Sequence, residues 1–138
     1  MKINIGNKVK TPIDSYVVEV ETMYGDADGW GRVIVGDFKI GEEEYLEDLL
    51  KTCERMDEAY PHGRGGWDNY NHVEGFNKWF SIDDTTDEEY DSMSARMKEL
   101  ASEWEFDPQS DGSHASFYGY NVFYYDKNGV KHSVSVEL

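Results

Sequence analysis

The chain has 138 residues and a mass of 15.9 kDa, which fits one domain and is tight for two. Thirteen Lys and Arg stand against 29 Asp and Glu, a formal net charge of −16, so nucleic-acid phosphates and anionic membrane surfaces are excluded as partners and basic ones are favoured. Aromatic residues make up 14 %, which excludes a disordered acidic tail, because such tails lack the large side chains that offset chain entropy.

In chain order, residues 1–12 are mildly basic and end at Pro12, where the chain turns or extends. From Tyr16 to Tyr24 polar and apolar residues alternate, with Tyr16, Val18, Val20 and Thr22 on one side and Glu19 and Glu21 on the other, the pattern of a half-buried strand. Residues 25–29 (GDADG) form a turn, and Arg32–Phe38 is a second strand, giving a β-hairpin. The DADG sequence also opens like a calcium loop, but Trp30 stands where a ligand is required and a strand follows where a helix is needed. Glu42–Ala59 is a helix with Leu46, Leu49, Leu50, Cys53 and Met56 on one stripe, and it stops at Pro61 and Gly63. Residues 61–75 read as a long loop with four glycines, and Phe76–Ile82 is short and apolar, a helical turn or a strand. A second helix is expected from about Asp87 to Trp104, with Thr86 as its N-cap and Tyr90, Met93, Met97, Leu100, Ala101 and Trp104 as its buried stripe. Last, Phe117–Tyr125 and Val130–Val136 flank the turn Asp126–Gly129, with Tyr118, Tyr120, Val122, Tyr124 and Val130, His132, Val134, Val136 on the inner faces.

The pattern predicts a single α+β domain spanning 1–138. An antiparallel sheet is built from the N-terminal and C-terminal hairpins, and two amphipathic helices pack on one face. The opening MKINIGNKVK has no apolar run, so no secretory signal is expected, and no segment is apolar enough to span a bilayer. The single cysteine, Cys53, cannot form an internal disulfide, which fits a reducing cytoplasm.

The charge is unevenly placed. Residues 41–58 hold eight acids against two bases, net −6, and residues 82–107 hold ten against two, net −8. The plain reading is solvation of two helix faces. The functional reading is an acidic surface that attracts a basic one, because solubility needs less charge and self-repulsion costs stability. Glu43, Glu47, Asp83, Asp84, Asp87, Glu88 and Asp91 are the candidate partner-binding carboxylates.

The Gly-rich loop concentrates other chemistry. His62, Arg64, Trp67 and Tyr70 are its candidate recognition residues, with Trp67 and Tyr70 alternatively packing it down. His62, Asp68 and His72 are the conceivable metal set of this loop, but histidines ten apart in a loop match no ligand spacing, so no metal and no cofactor is expected. Cys53 falls in an apolar stripe, as a structural thiol does, and His114 and His132 stand alone. The chain lacks G-x-S-x-G, P-loop, H-E-x-x-H and paired C-x-x-C motifs, which points away from an enzyme.

The stretches EVETMYGDADGW (Glu19–Trp30) and ERMDEAYPHGRGGWDNYNHVEGFNKWF (Glu54–Phe80) resemble small accessory proteins of bacteriophages that disable host enzymes or defences. That resemblance implies a stoichiometric inhibitor, such as an anti-CRISPR or an antirestriction DNA mimic. Immunity proteins that neutralise nuclease toxins are similar in size, acidity and construction. Neither group carries over a catalytic or binding residue. The sequence reading is therefore a cytoplasmic, non-enzymatic acidic inhibitor (in the host cytoplasm if viral) that binds a basic host or toxin protein handling nucleic acid, without itself binding nucleic acid or membrane. Two alternatives remain: a small-molecule sponge using the 61–75 loop, and a metal-dependent enzyme around His62, Asp68 and His72. The sequence does not specify the oligomeric state.

Overall fold

A computed structural model of the chain describes the backbone of residues 2–4, 15–23, 30–39, 41–61, 67–102, 116–125 and 128–138, and the side chains of 38–39, 41–61, 70–101, 119–125 and 128–138. It is an α+β protein. Five strands, β1 (Lys2–Asn4), β2 (Ser15–Met23), β3 (Trp30–Lys39), β4 (Ser116–Tyr125) and β5 (Lys131–Glu137), form an antiparallel sheet in the order β1-β5-β4-β2-β3. β2 pairs with β3 and β4 with β5, and the two pairs join where β2 runs beside β4, Val18 opposite Val122. The polar–apolar alternation and the high β-branched and aromatic content of these segments suit a pleated sheet with one covered side. β1 lies at the edge on β5, Ile3 opposite Val136; the sequence reading had no strand there. The turns at residues 25–29 and 126–127 lie outside the described residues, as do Trp104 and His114. Gly129, just before β5, has φ +76°, the left-handed conformation that its turn requires of a glycine.

The helices follow β3. Helix α1 (Glu43–Ala59) carries its apolar stripe as the spacing predicts: Leu46, Leu49, Leu50, Cys53 and Met56 are all fully buried. A 3-10 segment, Trp67–His72, follows it, then the short helix α2 (Phe76–Phe80), which resolves the ambiguous FNKWF run as helical, and a second 3-10 segment, Ile82–Asp84. Gly75 opens α2 at φ +88°. A Cβ there would stand 2.4 Å from the Thr52 hydroxyl, so both the backbone conformation and the close approach to α1 require glycine.

The expected helix from Asp87 onward is two helices. Helix α3 (Asp87–Ser92) starts as predicted, with the Thr86 hydroxyl accepting the Glu89 N–H at 3.1 Å. It ends at Met93, whose backbone is extended, and α4 (Ala95–Ser102) begins with a new side-chain cap, the Ser94 hydroxyl accepting the Met97 N–H at 3.1 Å. A serine that caps its own downstream turn competes with helix continuation. The break corrects two expectations. Tyr90 is 43 % exposed, with the Lys98 ammonium 4.2 Å from its ring centre, and Met93 is only half-buried. Met97, Leu100 and Ala101 on α4 are buried as the stripe requires.

One cluster of buried residues unites these elements. It holds Phe38 from β3, Val122 and Tyr124 from β4, the α1 stripe, Tyr70, Val73, the α2 aromatics Phe76, Trp79 and Phe80, and the α4 residues. Tyr120, Val134 and Val136 pack at its margin, as their alternation predicts, but Val130 is 51 % exposed, because it precedes the first paired residue of β5. His132 is not isolated: its ring stacks on Tyr124 at 5.0 Å.

Candidate functional site

The start of α1 is pinned by Glu42. Its carboxylate accepts the Lys39 backbone N–H at 2.9 Å and two N–H groups of Arg96, at 2.6 and 2.8 Å. Those bonds from Arg96 hold the Glu42 carboxyl below the usual carboxylate range. The end of β3, the start of α1 and the start of α4 are thereby fixed to one another. A hydroxyl pair, Tyr45 with Ser94 at 3.0 Å, adds a second tie across the same junction.

This junction places the acidic half of α1 beside the turn between α3 and α4. Between them lies a groove of about 390 Å³, lined by Glu44, Tyr45 and Asp48 from α1, Lys78 from α2, and Ser92, Met93, Ser94 and Met97. Asp48 is the organised carboxylate of the groove. Its Oδ2 accepts the Trp79 indole N–H at 2.8 Å and pairs with the Lys78 ammonium at 2.5 Å. Trp79 is otherwise wholly buried, so the bond to Asp48 satisfies the one polar atom that its burial would strand. Glu44, one turn earlier on the same helix face, is exposed, and no cation among the described residues pairs with it.

Of the seven predicted carboxylates, Glu43 and Glu47 are half-buried on α1. Glu47 is occupied by Lys51 at 2.9 Å, and that hydrogen bond lowers its pKa. The other five stand together: Asp83, Asp84, Asp87, Glu88 and Asp91 are all exposed on Ile82–Asp84 and α3. Asp84 accepts a hydrogen bond from the Ser81 hydroxyl, and no cation among the described residues pairs with any of the five. None of Glu44, Asp48, Lys78 and Trp79 is among the site candidates the sequence singles out, since the groove is assembled from three elements whose packing no local pattern encodes.

The predicted recognition loop divides. His62 and Arg64 lie outside the described residues, as do the side chains of Trp67 and Asp68. Tyr70 is fully buried, edge-on to Tyr60 at 5.3 Å and near Phe76 at 5.7 Å, so it holds the segment to the core and is not available to a ligand. His72 is exposed, its Nε2 3.4 Å from the Tyr60 hydroxyl. Among the described residues no three His, Cys, Asp or Glu side chains gather as a metal would require. Cys53 is buried, and that burial pushes its thiol pKa up, the opposite of an activated nucleophile.

A second cavity, of about 310 Å³, opens where the β4–β5 ladder ends at Val122–Val134, with Tyr120, Lys131 and Val136 in its wall. Burial, and then the charge of Glu54, push the Tyr120 hydroxyl up to about 12, so it stays protonated.

No helix among the described residues is long and apolar enough to cross a membrane. Comparison with protein-family models, curated proteins and solved structures finds no match to this chain.

Proposed function

We propose that the chain is a cytoplasmic, non-enzymatic inhibitor, a single domain whose acidic helical face, carried on one side of the sheet, binds a basic surface of a nucleic-acid-handling protein. The observation that carries the reading is the exposed set Asp83, Asp84, Asp87, Glu88 and Asp91, with which no cation among the described residues pairs. Surface carboxylates in proteins of balanced charge usually have basic neighbours, and holding five without any is unfavourable to the isolated chain through mutual repulsion. A basic partner removes that repulsion on binding, and the field of a −16 molecule speeds the encounter. Carboxylates held on short helical segments, α3 with its Thr86 cap among them, present fixed negative charge, as phosphates do. The resemblance to phage accessory proteins and nuclease-immunity proteins points to the same class of partner, a host defence enzyme or a toxin.

The test is capture from a host lysate at low and high salt, with wild type and with a variant neutralised at all five positions (Asp→Asn, Glu→Gln). The expected result is a basic nuclease or DNA-binding protein that is retained at low salt, elutes with salt and is lost with the variant. Capture that is indifferent to salt and to neutralisation overturns the reading.

A further inference from the structure

We propose that the groove between α1, α2 and the α3–α4 turn receives an arginine side chain of the basic partner, with Glu44 as its counter-ion. The inference rests on the acidic-face reading and gives that face a specific pocket.

Three features of the groove select a cation. It already holds one: the Lys78 ammonium sits on Asp48 at 2.5 Å, so the chemistry of this wall accepts a positive group. The second carboxylate, Glu44, lies on the same helix face four residues earlier and has no cation among the described residues. Its surroundings add negative potential, since Asp87, Glu88 and Asp91 precede the turn on α3.

The rest of the lining selects arginine over lysine. Met93, Met97 and the Tyr45 ring form an apolar wall against which a long aliphatic stem and a planar guanidinium can both lie. The Ser92 hydroxyl, which donates to the Glu89 carbonyl, keeps its oxygen as a further acceptor within the same lining, and a guanidinium has five donors in a fixed plane where an ammonium has three on a point. A volume of about 390 Å³ admits such a side chain without rearranging the core. The extended backbone at Met93 makes the opening, because a continuous helix through Ser92–Ala95 would carry Met93 on into the stripe.

The test uses tetra-arginine and tetra-lysine peptides as probes, titrated into the intact protein at low salt while the methyl resonances of Met93 and Met97 are followed. Tetra-arginine is expected to move both resonances and to bind more tightly than tetra-lysine. Glu44→Gln, an exposed isosteric change, is expected to weaken tetra-arginine about tenfold, the loss of one charge-assisted pair. Lys78→Met releases Asp48 and removes the resident cation, and is expected to tighten binding, an effect that a non-specific acidic surface would not localise to the methionine resonances. Equal affinity for the two peptides overturns the assignment of arginine. Still resonances with unchanged Glu44→Gln binding overturn the pocket; if the five-acid variant loses the peptide in that case, the acidic-face reading stands without it. If the five-acid variant also binds as wild type does, both fall.

Discussion

Glu42→Ala is the sharpest test of how the acidic face is held, because one carboxylate joins three elements. The side chain of Glu42 is 17 % exposed and that of Arg96 22 %, so the pair is neither a surface contact nor fully buried. An exposed ion pair contributes about 0–1 kcal/mol, and breaking a buried one costs about 3–5 kcal/mol. Removing Glu42 strips three N–H donors of their acceptor, but Arg96 keeps Glu99 at 3.2 Å and the Lys39 N–H lies near solvent, so the cost falls between these limits, at about 2 kcal/mol. For a chain of this length that lowers the melting temperature by about 6–8 °C. The pH dependence has a definite sign. Arg96 holds the Glu42 carboxyl below its unfolded value of 4.5, so the contribution is fully present above that value and disappears as pH falls through the folded pKa. Thermal melts of wild type and Glu42→Ala should therefore differ near neutral pH and converge in acid. A melting temperature unchanged at neutral pH, or a deficit of constant size down to acid, would refute the argument, and an Arg96→Met double-mutant cycle with no coupling would place the cost elsewhere.

Four further outcomes follow from the packing and charge. Leu50→Ala and Leu100→Ala, both at wholly buried positions, should each cost about 2–5 kcal/mol in denaturant titrations, and unaltered midpoints would mean that the helices are misplaced. Trp79→Phe should cost about 1–3 kcal/mol by leaving Asp48 without its indole donor, with Lys78 remaining as the compensating partner. Neutralising Asp83, Asp84, Asp87, Glu88 and Asp91 together should leave the melting temperature equal or higher while removing salt-sensitive capture of the partner; a large loss of stability would show that the run is structural. Gly75→Ala should destabilise the protein, and Thr52→Ala, by removing the hydroxyl in the way, should recover part but not all of the loss, because φ +88° still disfavours a side chain.

How far the sequence discloses this molecule depends on the range over which each signal acts. The α1 stripe was legible because five apolar residues at helical spacing all meet the same core, and all five are buried. The strands β2–β5 were legible for the same reason at period two, whereas β1 was not, since three residues around Ile3 carry no period. The second helix was misread through a single residue: Ser94 looks like a tolerated polar position within an apolar repeat, yet it caps α4 and breaks the chain's rise. The periodicity across Tyr90, Met93 and Met97 carries no sign of the break, because the capping bond from the Met97 N–H to the Ser94 hydroxyl is a local contact that an apolar repeat does not register. In the Gly-rich segment Tyr70 read equally as anchor or recognition residue, and only its contacts with Tyr60 and Phe76 decide for the core.

The site shows the same division more sharply. Its charge is a local property and was visible as a run of acids. Its pocket is not, because the groove exists only where α1, Lys78 of α2 and the α3–α4 turn come together. The break that spoiled the helix prediction is also what shapes the site. Continuing α3 through Met93 would complete the burial of a methionine that is now half-buried, a gain of about 1 kcal/mol. The chain forgoes that burial where Glu44, Tyr45 and Asp48 of α1 share a groove with the α3–α4 turn, and the Ser94 cap and the Tyr45–Ser94 hydroxyl pair hold the opening in place. A face serving only solubility has no use for a preorganised opening, since dispersed charge dissolves as well on an unbroken helix. On the proposed reading, the coincidence of the break, of Glu44 with no cation among the described residues, and of the exposed Asp83, Asp84, Asp87, Glu88 and Asp91 is what would set a binding face apart from a solvated one.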